Sequence, residues 1–157
     1  MPKEKKKDMS FENPSEVRAI RKLLEGINTE LKGRGTKARV AVLSGYLAQV
    51  NALRREVESR RDLWGAIQVE INTVDAFQGR EADIAIYSVT RSNDQRKIGF
   101  LRDLRRLNVA LSRGRTYLVI VGDHMFAKSV EGYNPFARVL EHIATHSAEC
   151  TVRPANL

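Results

Sequence analysis

The sequence predicts an α/β domain built on a mostly parallel central sheet, with helices on its faces. Short apolar runs alternate with stretches of helical periodicity along the chain, the pattern of strands joined by crossover helices. One run, "LVIVGD" from Leu118 to Asp123, is apolar until its end, as expected of a central strand covered on both faces. The chain has 157 residues, 42% of them hydrophobic, which is enough for one domain with its own core.

The elements follow in order. Met1 to Asp8 is polar and lysine-rich, so residues 1–10 are expected to form a basic flexible segment, with the domain spanning 11–157. Asn13 to Leu31 reads as a helix. Asn13 can cap it, Pro14 suits its first turn, and Val17, Ile20, Leu23, Leu24 and Ile27 recur on one face. "KGRGTK" is a glycine-rich loop, and Ala38 to Ser44 is an apolar strand. A helix runs from about Leu47 to Arg61, with Val50, Leu53 and Val57 inward. Ile67 to Val74 and Ala82 to Val89 read as strands, and Leu104 to Leu111 as a short helix. "TYLVIVGD" is a further buried strand. Pro135 to His146 is a helix with Phe136, Val139, Leu140 and Ile143 inward, and "CTVRP" reads as a last edge strand. Ligands of such sheets sit at the carboxyl ends of the strands, which puts Ser44, Thr73, Thr90 and Asp123 on or near a functional edge.

The net charge is +8, from 27 basic and 19 acidic residues, and arginine supplies 18 of the 27. Arginine is the cation suited to forked contact with phosphate. Without the first eight residues the charge is still +6, and Arg91 to Arg115 alone carries a net +6. Such clustering points to an anionic partner, nucleic acid or nucleotide, although a solvated basic surface would account for the same charge.

Several chemistries are excluded as independent activities. No glycine is followed by lysine, so the chain has no phosphate loop of the Gly-Lys-Ser/Thr type. Without that loop, Asp123 reads as a cap at a strand end. His142 and His146 are four apart on one helix, but no third ligand lies near in sequence, so no metal site is expected. No serine sits in a Gly-x-Ser-x-Gly elbow. The single cysteine, Cys150, rules out an internal disulfide and a cysteine-rich zinc pattern. No run is long enough to span a bilayer, so no membrane partner is expected and an intracellular location, cytoplasmic or nucleoid/nuclear, fits best.

Two stretches carry positive chemistry. In Asn72 to Asn93 a strand ends, a polar turn follows and a buried strand resumes. Gly79 in that turn lets backbone approach a ligand closely, Gln78 can donate and accept, and Glu81 can accept from ribose hydroxyls. A tight polar turn with Arg80 and Glu81 merely solvated explains the same residues. In Asn108 to Asp123, Arg113 and Arg115 flank Gly114 just before the apolar strand, well placed to meet phosphate.

Together, "VDAFQGREADIAIYSVTRSN" and "IGFLRDLRRLNVALSRGRTYLVIVGD" resemble motifs V and VI of superfamily 1 helicases, in the group of the nonsense-mediated-decay RNA helicase and the DNA-replication helicase-nucleases. "VAVLSGYLAQVNAL" resembles the preceding family element, a strand ending in Thr-Pro-Tyr-x-x-Gln. The match runs from about Asn13 to Val121 and covers the second RecA-like motor domain, a three-layer fold. The resemblance implies a role for each matching residue. Arg113 takes the place of the arginine finger that reaches the γ-phosphate of ATP across the domain cleft, and Arg115 matches a second basic position. Gln78, Gly79 and Glu81 match the nucleotide side of motif V, with Glu81 near the ribose. Ser44, Tyr46, Gln49, Thr73, Asp75, Arg91, Ser92 and Asn93 fall on the nucleic-acid track, for single-stranded DNA or RNA. ATP and magnesium are expected to be held mainly by a first RecA-like domain, from the same full-length chain or a separate partner.

The chain departs from the family pattern in three ways. Ser44-Gly45 stands where Thr-Pro is usual, and Ser112 where threonine is usual. The sequence starts after the Gln-Tyr-Arg-Met-His-Pro element and has neither the phosphate loop nor the Asp-Glu magnesium motif. The expectation is therefore half of a motor, either a piece of a longer helicase or a short protein that borrows a partner, inactive alone. Two other readings use the same residues: a nucleic-acid-binding module with a degenerate helicase fold, and a regulatory nucleotide-binding domain. Gln78, Glu81 and Arg113 favour the motor, because a binding module has no use for a γ-phosphate finger.

Overall fold

The computed structural model describes residues 3–155. Four parallel strands, β3 (Ala38–Ser44), β4 (Ile67–Thr73), β5 (Ala82–Ser88) and β6 (Gly114–Val121), form the central sheet in the order β4-β3-β5-β6. Strand alternation sends Val40 and Val42 to one face and Ala41 and Leu43 to the other, and all four are buried. Helices α1 (Pro14–Gly33) and α2 (Leu47–Glu58) cover the first face through Ile20, Leu24, Val50 and Leu53. Helices α3 (Leu104–Leu111), α4 (His124–Ser129) and α5 (Pro135–Thr145) cover the second through Leu107, Ala127 and Phe136. The result is the three-layer α/β arrangement of a RecA-like fold.

Local chemistry sets the boundaries. Asn13 accepts from the amides of Ser15 and Glu16, and Pro14 supplies the fixed first turn, so α1 starts where the sequence predicts. Asp103 caps α3 in the same way, through Arg105 and Arg106. The link from β4 to β5 is short for a parallel crossover, so it has no room for a helix. It crosses the sheet as tight turns, with Val74 and Phe77 buried beneath it.

Three expectations are corrected, and one element is not read from the sequence. Residues 1–10 are not simply a flexible segment: β1 (Lys5–Lys7) and β2 (Ser10–Glu12) form an antiparallel hairpin. Its short strands are anchored by side chains rather than by their own apolar pattern, so composition hides them. The "LVIVGD" strand lies at the sheet's edge rather than its centre, with Tyr117 65% and Leu118 40% exposed. A continuous apolar run reports the two faces of a strand and says nothing of its edges. The segment after that strand holds α4, whose six residues are too few for a periodic signal. "CTVRP" forms no strand over its described length. No helix among the described residues is long and apolar enough to cross a membrane.

Ile86 is fully buried on β5, between its neighbours β3 and β6. Ile86→Ala is expected to cost about 2–5 kcal/mol, read as a lower urea midpoint at unchanged slope.

Candidate functional site

The polar residues gather at opposite ends of the sheet. Because all four strands run parallel, seven residues at about 3.3 Å each set the two ends roughly 20 Å apart.

At the carboxyl ends, the side chains form one buried network. Glu16, the third residue of α1, stands at capping-box spacing from Asn13, yet its carboxyl points into the sheet. It accepts from Ser88 Oγ at 2.6 Å, Thr90 N at 2.8 Å and Asn13 Nδ2 at 3.3 Å. Gln49 takes the place at Asn13 that a capping-box glutamate would fill, accepting from Asn13 N at 2.7 Å while donating to Ser88 Oγ at 2.9 Å. Ser44 and Thr90 share a hydroxyl bond of 2.9 Å. These contacts hold Thr90 at φ 69°, an unfavourable region for a β-branched residue that costs about 1–3 kcal/mol.

Beyond that bend, Arg91 and Ser92, both largely buried, form a cradle with Asn93. Its donors, Arg91 Nε at 2.9 Å, Ser92 N at 2.7 Å and Asn93 Nδ2 at 3.2 Å, converge on one carboxylate oxygen of Glu4, just before β1. The Arg91 guanidinium lies 4.2 Å from the centroid of the Phe11 ring and donates to the Tyr46 hydroxyl at 3.3 Å. Burial works against its charge, but its bonds to Tyr46 and Glu4 outweigh that and hold it protonated. Gly99 adopts φ 63°, and a Cβ there would collide with Arg91 Nη1 and the Tyr46 hydroxyl, so only glycine fits against this pair. Ser92 Oγ donates to Asp123 at 2.9 Å, and Asp123 also caps α4 through Met125 and Phe126.

The expected nucleic-acid residues therefore divide. Tyr46, Arg91, Ser92 and Asn93 come together at the cradle. Ser44 and Gln49 have no exposed surface and belong to the supporting network. Thr73 and Asp75 sit apart at the end of β4, where Thr73 Oγ1 accepts from Ala76 N at 3.2 Å and Asp75 pairs with Arg106 at 3.5 Å.

At the amino ends of β5 and β6 lie the residues expected to face nucleotide. Arg113 donates to Val109 O at 2.8 Å, Arg80 O at 3.1 Å and Ser112 Oγ at 2.8 Å, so its guanidinium rests on main chain and a neighbouring hydroxyl. Its own carbonyl accepts from Ala82 N at 3.0 Å, which ties it to the turn holding exposed Gln78, Gly79 and Glu81. Gly79 has φ 78°, the left-handed value this turn requires. Arg115 follows on β6 and is exposed. The structure thus joins Arg113 to the Gln78–Glu81 turn, 30-odd residues away in sequence, and keeps both far from the cradle.

Sequence reasoning missed Glu4, Phe11 and Glu16. For Glu16 a signal existed in its spacing from Asn13. Glu4 and Phe11 carried none, because their partners are remote in sequence.

The chain is thus a three-layer parallel α/β domain with polar clusters at both strand ends. Residues 1–125 match the family described as AAA domain, and the chain belongs to it. It is 46% identical over 84 residues to DNA polymerase alpha-associated DNA helicase A of Saccharomyces cerevisiae, covering 54% of this chain and 12% of that protein. It is 36% identical over 147 residues to a Regulator of nonsense transcripts 1 homolog of Arabidopsis thaliana, covering 91% and 11%. An uncharacterized ATP-dependent helicase of Methanocaldococcus jannaschii is 38% identical over 125 residues, covering 78% and 17%. The chain thus spans less than a fifth of the length of these relatives. The resemblance to superfamily 1 helicases stands.

Burial pushes the Glu16 carboxyl up to about 8 from an ordinary 4.5. The bonds from Ser88 and Thr90 oppose the rise, and the charges of Asp123 and Glu4 add to it. A carboxyl whose folded pKa exceeds its unfolded value stabilises the fold fully below about 4.5, and loses that contribution as pH rises through about 8. Stability is therefore expected to fall between pH 5 and about 8, with a flatter profile in Glu16→Gln. Urea titrations across that range check both.

Proposed function

We propose that this chain is the second motor domain of an ATP-dependent helicase, supplying an arginine finger to a composite ATPase site and part of a track for single-stranded nucleic acid. The observation that carries this reading is the pairing of Arg113 with the Gln78–Glu81 turn at one end of the sheet, with the Arg91 cradle at the other. The relatives named as helicases support the same reading.

In this reading ATP binds between this domain and a first RecA-like domain. Glu81 faces the ribose, Gln78 and the Gly79 backbone line the nucleotide, and Arg115 adds positive charge. Arg113 leaves its carbonyl acceptors and turns to the γ-phosphate when the cleft closes. There its fixed charge stabilises the negative charge that builds on the phosphoryl oxygens. Magnesium bound with ATP would be held mainly by the first RecA-like domain, where it would neutralise phosphate charge. At the other end, Tyr46, Arg91, Ser92 and Asn93 meet the strand. Ser44 and Gln49 hold them in place from inside, and Thr73 and Asp75 lie at the end of a neighbouring strand. Closing the cleft moves one end relative to the other domain and so shifts the grip on the strand.

Arg113→Ala in the intact motor is expected to lower ATP turnover by about a thousandfold or more. Affinity for a single-stranded oligonucleotide should stay within about twofold, because Arg113 lies at the opposite end of the sheet. Equal turnover in variant and wild type would remove the finger assignment. This chain alone should not turn over ATP, with or without a single strand. Stimulated turnover by the pure chain would overturn the half-motor reading.

A further inference from the structure

The cradle of Arg91, Ser92 and Asn93 already holds an anion. Three donors from one segment meet a single carboxylate oxygen, at 2.7 to 3.2 Å. A guanidinium, a main-chain N–H and a side-chain amide are the donor types that proteins turn toward phosphate oxygens. The carboxylate comes from Glu4, outside the central sheet.

The hairpin that follows Glu4 is small: β2 rests against α2 and Tyr46, while β1 is exposed. Its strands are three residues each, Lys5–Lys7 are exposed, and it does not join the main sheet. A two-stranded hairpin is marginal by itself. Among its links to the rest of the domain are the Glu4 contacts, the main-chain bond from Glu4 N to Ser92 O at 3.1 Å, the stacking of Phe11 on Arg91, and a bond from Ala48 N to Ser10 Oγ at 3.1 Å. Its exposed strand, β1, has the least burial to lose on opening. With Glu4 gone and no anion in its place, the Arg91 guanidinium would lose the charge-assisted bond it now makes at 2.9 Å. Departure of the hairpin is therefore an exchange of one anion for another.

The surroundings fit a polyanion. The cradle opens onto a groove of about 1400 Å³, bordered by Lys3, Lys6, Arg96, Lys97 and Arg102. The acids along it are each held by one of its cations: Glu4 by Arg91, Asp94 by Lys3 at 2.6 Å, and Glu131 by Arg96 at 2.6 Å.

We propose that this cradle is a phosphodiester site for the single strand, and that the Glu4 carboxylate occupies it in cis as an exchangeable anion. The hairpin and the strand then exclude one another, and hairpin release exposes the face of Phe11 that now covers Arg91. This inference rests on the nucleic-acid reading above and adds the competitor.

The test uses the chain and a fluorescein-labelled dT15 oligonucleotide. Glu4→Gln removes the charge while keeping the shape. If the hairpin is undocked in only a tenth of wild-type molecules, freeing it raises affinity about tenfold. Arg91→Gln in the same background should cancel that gain. Hydrogen exchange in the wild type, independent of the variant's folding, should be faster at Glu4 to Lys7 when dT15 is bound. If both proteins bind equally and exchange at these amides is unchanged or slower, the competitor is wrong and the nucleic-acid reading stands. If neither protein binds dT15 at low salt, both fail together.

Discussion

A buried carboxyl group needs partners for its oxygens, and Glu16 finds them on two elements at once. Ser88 and Thr90 come from the end of β5, and Asn13 from the start of α1. The helix start and the strand end are thereby locked together at one point. Gln49 extends the lock to α2, and Ser44 extends it to β3 through Thr90. The unusual backbone of Thr90 persists because several bonds determine it together, and that backbone aims Arg91 and Ser92 at the cradle. A core of aliphatic side chains alone would hold the layers but would leave this edge undirected.

The lock also explains why so many polar residues in the family-like motifs carry no exposed surface. A motor that must transmit movement needs residues that touch a ligand and residues that keep those in register. Ser44, Gln49 and Glu16 are placed to do the second; under the proposed function, Arg91 and Asn93 do the first. At the amino end the division is similar but looser. Phe77 is buried under the turn, while Gln78 and Glu81 stand exposed beside Arg113. The tight end and the loose end share β5.

Much of the fold was legible because the strands and long helices carry their own periodicity and caps. Asn13 and Pro14 announce α1, and Ala38 to Ser44 is a strand at the residues its pattern predicts. What was hidden was non-local. The hairpin depends on Glu4 reaching Arg91, 87 positions away, and composition gave those lysines no reason to order. The edge position of β6 depends on which strands pair, which its own apolar run does not encode. At the site, motif resemblance grouped Arg113 with the Gln78–Glu81 turn and Arg91 with Tyr46, and the structure brings these pairs together. It could not separate surface residues from supports, because exposure is set by elements elsewhere in the chain.

The two edges of the sheet differ in a way that matters for handling the domain. The β4 edge bears Gln68, Glu70 and Asn72, polar side chains that discourage a second sheet from pairing there. The β6 edge has no further strand beyond it among the described residues, and it exposes Tyr117 and Leu118 beside its main-chain donors and acceptors. That is a template for strand addition. In concentrated solution the isolated domain would lose solubility first along β6, and a charged residue at Tyr117 would be the simplest gatekeeper.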